Sequence, residues 1–300
     1  MSIDGSGTRD DLIADARAAG HEVTVRMITD WVARGLLDQP TRQPKGRGHG
    51  SNKGLYSQNQ RRLFITLLGK RPSNHLRSLA RVPLYLWLYW GDDYVPTRQA
   101  IRAFDTWLGD FRVSKEAAKQ AAQQLLGRVD HPDATSTARR ALLKVLADIA
   151  YHGRIDEEAL SKAAEAVFEP EHRLIKRAVG PVAAPLTTDN VVNLLSVRLQ
   201  AAQHFRDGFV TEDHLEQARS LILETRADYL VELPGMASQV PDQLVGAFQH
   251  PSDEMKALNC GTDLLTMLGI QLRINSGRRQ EHVTEFNIAS TVHYRTLPHN

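Results

Sequence analysis

Residues 24–37 read Thr24-Val25-Arg26-Met27-Ile28-Thr29-Asp30-Trp31-Val32-Ala33-Arg34-Gly35-Leu36-Leu37. Val25, Ile28, Trp31 and Val32 recur at spacings of three and four, which predicts a short helix with one buried face. The Thr24 hydroxyl can cap its first turn, Gly35 can end it, and Leu36-Leu37 can anchor the chain beyond it. Upstream, Thr8 to Ala19 reads as another helix. Thr8 is its N-cap, Asp10 and Asp11 suit its first turn, and Leu12, Ile13 and Ala16 form its apolar stripe. Gly20-His21-Glu22 separates the two. Two short helices joined by a tight glycine turn make a helix-turn-helix pattern.

The chain then changes in kind. Between Asp38 and Tyr56 it holds Pro40, Pro44, Gly46, Gly48, Gly50 and Gly54, interleaved with Arg42, Lys45, Arg47, Asn52 and Lys53. Glycine lets a backbone approach phosphates closely, and the basic side chains supply charge and hydrogen-bond donors. Ser57 to Arg71 returns to helix, with Leu63, Ile65, Leu67 and Leu68 as its apolar content. A basic hairpin set between a helix-turn-helix and a further helix is a winged arrangement.

Charge supports an anionic partner. Residues 1–82 carry 14 Lys/Arg against 7 Asp/Glu, although the whole chain is only +2. From Gln39 to Gly91 there is no acidic residue, yet ten basic ones: Arg42, Lys45, Arg47, Lys53, Arg61, Arg62, Lys70, Arg71, Arg77 and Arg81. Such a patch releases counterions from a polyphosphate, the electrostatic footprint of a nucleic-acid binder. A solvated basic face without a partner is the alternative.

These residues resemble the MerR-type regulators and the related winged-helix excisionases. The resemblance lies in Thr24-Val25-Arg26, Trp31, Arg34-Gly35-Leu36-Leu37, Pro40-Thr41-Arg42, the glycine-rich turn and Tyr56, and it covers about residues 8–71. It implies a DNA-binding module in which Thr24 and Arg26 open a major-groove helix. Arg42, Lys45, Arg47, Asn52 and Lys53 would then be wing contacts, with Arg61 and Arg62 added from the next helix. For Arg26 the competing reading is a salt bridge with Glu22 or Asp30. Trp31 and Tyr56 are expected in the core. Gly54 stands where many members carry arginine, and Pro72 and Pro83 fall where the family continues into a long dimerisation helix.

Beyond Thr97 the pattern is helical almost throughout. Three stretches share a cap-like signature: Leu108 to Ala117, Ala150 to Ala159 and Phe205 to His214, offset by 42 and 55 residues. In them Ser114, Asp156 and Thr211 precede acid-led helices. Stacked helical hairpins would give this spacing, and so would any set of capped helices. His282 to Leu297 alternates more like a short terminal β element or an arm.

No segment reaches the roughly 18 apolar residues of a membrane span, since Val82 to Trp90 is about half that length. The first residues are acidic and polar, unlike a secretory signal. Cys260 is the only cysteine, which excludes a disulfide framework and any thiolate-rich metal cluster and fits a reducing cytoplasm. No metal-ligand spacing or phosphate loop is present, and Ser252 before Asp253-Glu254 is a helix cap.

The reading is therefore mainly α. An N-terminal winged helix-turn-helix occupies 1–71, an aromatic segment at 72–96 connects, and a helical self-association or effector domain fills 97–300. The Val82 to Trp90 run reads as a joint between domains or an interface anchor, or equally as a core helix. The expected function is sequence-specific, non-enzymatic regulation of transcription on double-stranded DNA in the cytoplasm, at the nucleoid. A homo-oligomer is expected, with no metal and no cofactor. A small-molecule or protein effector is left open. The alternatives are an accessory factor in recombination, replication or partition, and a helical scaffold or enzyme that a basic module localises.

Overall fold

Side-chain caps set the starts of the N-terminal helices. The computed structural model describes residues 3–42, 53–109, 114–130, 134–168, 188–237 and 252–275, and these are mainly helical. Helices α1 (Arg9–Ala18), α2 (Val25–Ala33) and α3 (Gln58–Lys70) begin after Thr8, Thr24 and Ser57, whose hydroxyls accept from the backbone N–H of Asp11, Met27 and Gln60. These lie within a residue or two of the expected bounds. Thr8 and Asp11 form a reciprocal capping box, since the Asp11 carboxylate also accepts from the Thr8 N–H at 2.6 Å. Those hydrogen bonds hold the Asp11 carboxyl below its usual range.

The stretch 72–96 is not a connection. It holds α4 (Leu76–Leu79) and α5 (Arg81–Trp90), and α6 (Thr97–Leu108) comes next. Pro83 lies in the first turn of α5, where the N–H it lacks has no intrahelical acceptor, so the helix runs through it. Leu84, Trp87 and Leu88 of α5 are buried, as are Ala100, Ala103 and Phe104 of α6. The aromatic stretch is thus a core helix, with Tyr85, Tyr89 and Trp90 gathered edge-to-face on its less buried side.

Contacts divide the chain into two compact units. The first comprises Met1–Gly109 with Thr211–Leu223 and Pro251–Leu264, and the second holds the rest. In the first unit, Leu12, Ile28, Trp31, Leu36, Leu37, Phe64 and Leu67 are buried beneath α1–α3, and Trp31 meets Phe64 edge-to-face at 5.5 Å. Trp31 and Tyr56 are core residues, as expected. Val25 is not: it is 41% exposed.

The second unit is built on α7 (Lys115–Val129), α8 (Ser136–His152), α9 (Glu157–Phe168) and α10 (Thr188–Arg206). Each packs against the next in chain order. Leu142, Leu146, Leu160, Ala164 and Val191 form its apolar centre. The unit boundary falls inside α11 (Glu212–Ala237) and α12 (Asp253–Asn275). Ser114, Asp156, Thr211 and Ser252 all cap the helices they were expected to cap, accepting from Ala117, Ala159, His214 and Met255. The terminal stretch 282–297 lies outside the described residues. Among the described residues no helix is long and apolar enough to cross a membrane.

Candidate nucleic-acid interface

The turn between α1 and α2 and the end of α2 are closed in the same way. His21 N–H reaches Ala16 O at 2.8 Å, and Gly20 N–H reaches Arg17 O. Likewise Leu36 N–H reaches Trp31 O at 2.9 Å, and Gly35 N–H reaches Val32 O. Both are Schellman closures, which satisfy the last carbonyls of a helix and redirect the chain. The second closure and the Thr24 cap hold α2 at its two ends, so the face it presents is defined.

Arg26 lies on that face, exposed in the first turn beside the Thr24 cap. Asp30 is bound through both carboxylate oxygens to Arg34 Nε at 3.0 Å. In the structure Asp30 is thus paired with Arg34 and not with Arg26. Among the described residues, Arg26 takes part in no ion pair.

Beyond α2 the chain forms two antiparallel bridges. Thr41 and Leu55 exchange both backbone hydrogen bonds at 2.9 Å. Gly7 and Tyr56 do the same at 2.9 and 2.7 Å, so the backbone before α1 lies alongside the residues before α3. Arg42 leaves this base on one side, exposed, and Lys53 returns on the other. Lys45, Arg47 and Asn52 lie outside the described residues. Lys53 Nζ lies 3.2 Å from Asp10, with both side chains more than two-thirds exposed. Such a surface pair contributes about 0–1 kcal/mol and leaves Lys53 available to a stronger anion.

Gly54 sits hard against Pro40. A Cβ there would stand 2.8 Å from the Pro40 Cβ, so a side chain at this position would displace Pro40. The glycine permits the close approach of the two chains at the base.

Arg61 is a correction. Expected at the interface, it lies instead in the fold. Its Nε and Nη2 bond both oxygens of Asp15 at 2.8 and 2.9 Å, and Nη1 reaches the carbonyls of Asp4 and Gly5. The two side chains are only 12% and 11% exposed, and bonding to Asp15 raises the Arg61 pKa further. Its basic character in an acid-free stretch misled because the partner lies 46 residues away. Arg62 is exposed, with Nη2 donating to Ile3 O at 3.3 Å.

A buried polar network ties α2 to α6. The carboxamides of Gln60 and Gln99 bond each other at 2.7 Å. Gln99 Nε2 donates to Gly35 O and Leu36 O, and Gln60 Oε1 accepts from the Asp38 N–H at 2.8 Å. Asp38 in turn holds Arg98 through both oxygens and Arg102 at 3.1 Å. The Thr106 hydroxyl donates to Arg34 O at 2.8 Å. Buried amides satisfied this fully give one arrangement rather than several. Nothing in the local sequence pattern announces this network, because its members lie 22 to 72 residues apart.

The same unit also carries a polar cleft of about 500 Å³ lined by Asp92, Thr97, Arg98, Glu212, Glu216 and Arg219. The Thr97 hydroxyl accepts from Trp87 Nε1 and lies against the carboxylates of Asp92 and Glu216. Its cations are engaged: Arg98 with Asp38, and Arg219 with Glu216 and the carbonyls of Trp87 and Leu88. Among the described residues no group of three His, Cys, Asp or Glu side chains gathers to hold a metal.

No protein-family model matches the chain, and searches of curated proteins and of solved structures return no significant match.

Proposed function

We propose that residues 8–71 are a winged helix-turn-helix module, and that the protein is a sequence-specific regulator of transcription acting on double-stranded DNA. The observation that carries this reading is Arg26, an exposed cation without an ion-pair partner among the described residues, on the first turn of a helix closed at both ends. The Thr41–Leu55 bridge adds support. From it departs the stretch 43–52, whose sequence contributes Lys45, Arg47 and Asn52. On this reading α2 enters the major groove and the basic stretch contacts phosphates or the minor groove. The protein acts by binding, not catalysis, at the nucleoid. One module spans few base pairs, so two copies would read half-sites about one helical turn apart.

Selection from a random duplex pool tests this, with wild type compared to Arg26→Ala and to a variant with Arg42, Lys45 and Arg47 all changed to alanine. The expected result is a defined motif. Arg26→Ala relaxes it at one position, and the triple variant weakens all sites and flattens the salt dependence by about one unit of slope per lost phosphate contact. Weak binding without a motif, alike in all three proteins, overturns the reading.

A further inference from the structure

The outward face of α2 is more apolar than a basic module leads one to expect. Its exposed residues are Val25, Arg26, Thr29 and Ala33, with Arg34 exposed just past its end. At about 100° per residue, Val25, Thr29, Ala33 and Arg26 fall within one arc, away from the buried Ile28 and Trp31. The hydroxyls near this arc are engaged internally. Thr24 Oγ1 accepts from Met27 N–H at 3.2 Å, and Thr29 Oγ1 donates to Val25 O at 3.0 Å. Asp30 and Arg34 neutralise each other. The arc presents outward a run of methyl groups from Val25, Thr29 and Ala33, with one cation, Arg26, along its edge.

We infer that α2 reads thymine 5-methyl groups through the Val25–Thr29–Ala33 stripe and a single guanine through Arg26. This rests on the proposed DNA reading of the helix and names the sequence class it selects. In the major groove only thymine offers a methyl group. Guanine offers paired acceptors, N7 and O6, that match a guanidinium fork. The residues that read adenine bidentately, Asn and Gln, are absent from α2, and its one carboxylate, which could otherwise accept from cytosine, is held by Arg34. Duplex DNA is the occupant that the charge favours, because the sequence from Gln39 to Gly91 carries no acid. Each half-site is therefore thymine-rich with one G·C pair.

The test uses the full-length protein and the motif recovered by the selection experiment, with each thymine replaced in turn by uracil. That change keeps the pairing and removes only the methyl group. At the contacted positions, wild-type affinity is expected to fall about fourfold per methyl, the weight of one methyl removed from water. A Val25→Ala, Thr29→Ser variant keeps the helix and the Thr29 backbone bond, and it should shrink the uracil penalty at the positions Val25 and Thr29 contact, leaving only the share that Ala33 and the new alanine methyl carry. Arg26→Ala should lose the guanine preference while keeping the uracil penalty. A motif that tolerates every uracil, or a penalty that survives unchanged in the double variant, overturns this inference and leaves DNA reading by α2 intact. Failure to recover any motif overturns both.

Discussion

Cys260 shows what one side chain's surroundings do to its chemistry. It is 1% exposed, and burial pushes its thiol up to about 12 from an ordinary 9.0. The neutral thiol is thus favoured by the folded state. Because the folded protein retains this proton above the unfolded pKa, the stability it contributes is full below about pH 9 and declines as pH rises toward 12. At pH 8 the thiolate fraction would be on the order of one in ten thousand. A chromogenic disulfide reagent at pH 8 should leave native Cys260 unmodified for hours and react within minutes in denaturant. Rapid native labelling would show that the site opens. Arg61 teaches the companion lesson from the charged side. Composition puts it among the basic residues, but its bidentate bond to Asp15 makes it structural, and only a tertiary contact could tell the two roles apart.

At the scale of elements, the closing residue of α2 decides how that helix meets α6. Gly35 has φ +69°, and a Cβ there would meet the Ala103 nitrogen and the backbone of Arg102. Gly20 closes α1 with φ +81° but has no atom within 4 Å of such a Cβ. Gly20→Ala is expected to cost only the left-handed penalty, about 1 kcal/mol. Gly35→Ala adds the displacement of a neighbouring backbone, about 1–3 kcal/mol more. Urea midpoints of the two variants would separate these terms, and equal shifts would show that α6 yields freely. Much at this scale is legible in the sequence. Thr8, Thr24, Ser114, Asp156, Thr211 and Ser252 are recognisable as caps, because a cap bonds within its own first turn. Val25 is not so easily placed. Its apolarity and three-residue spacing to Ile28 suggest the core, although Thr29 and Ala33 at four-residue steps mark the outer face. Pro83 suggests a break, yet proline is disruptive only past the first turn of a helix.

At the scale of the whole molecule, the first unit is discontinuous in sequence. Its N-terminal 109 residues are joined by Thr211–Leu223 and Pro251–Leu264. Arg219 bonds the carbonyls of Trp87 and Leu88, and the Cys260 thiol points at Arg81 O. Gly261 lies so close against the Trp107 ring that a Cβ would overlap it. A boundary near residue 96 could not foresee this, since no local pattern links α5 and α6 to helices more than a hundred residues later. A fragment of residues 1–109 should therefore melt well below the full chain, or bind a hydrophobic dye, despite holding all of α1–α6. An unchanged melting temperature in calorimetry would show the later segments to be dispensable. The clamp of Gln99 and Thr106 on the end of α2 carries a last consequence for the proposed complex. A reading helix bolted to its scaffold has no slack with which to track an ill-fitting groove, so the accommodation falls to the duplex. Discrimination would then extend to base pairs that no side chain reaches, through how readily each sequence bends.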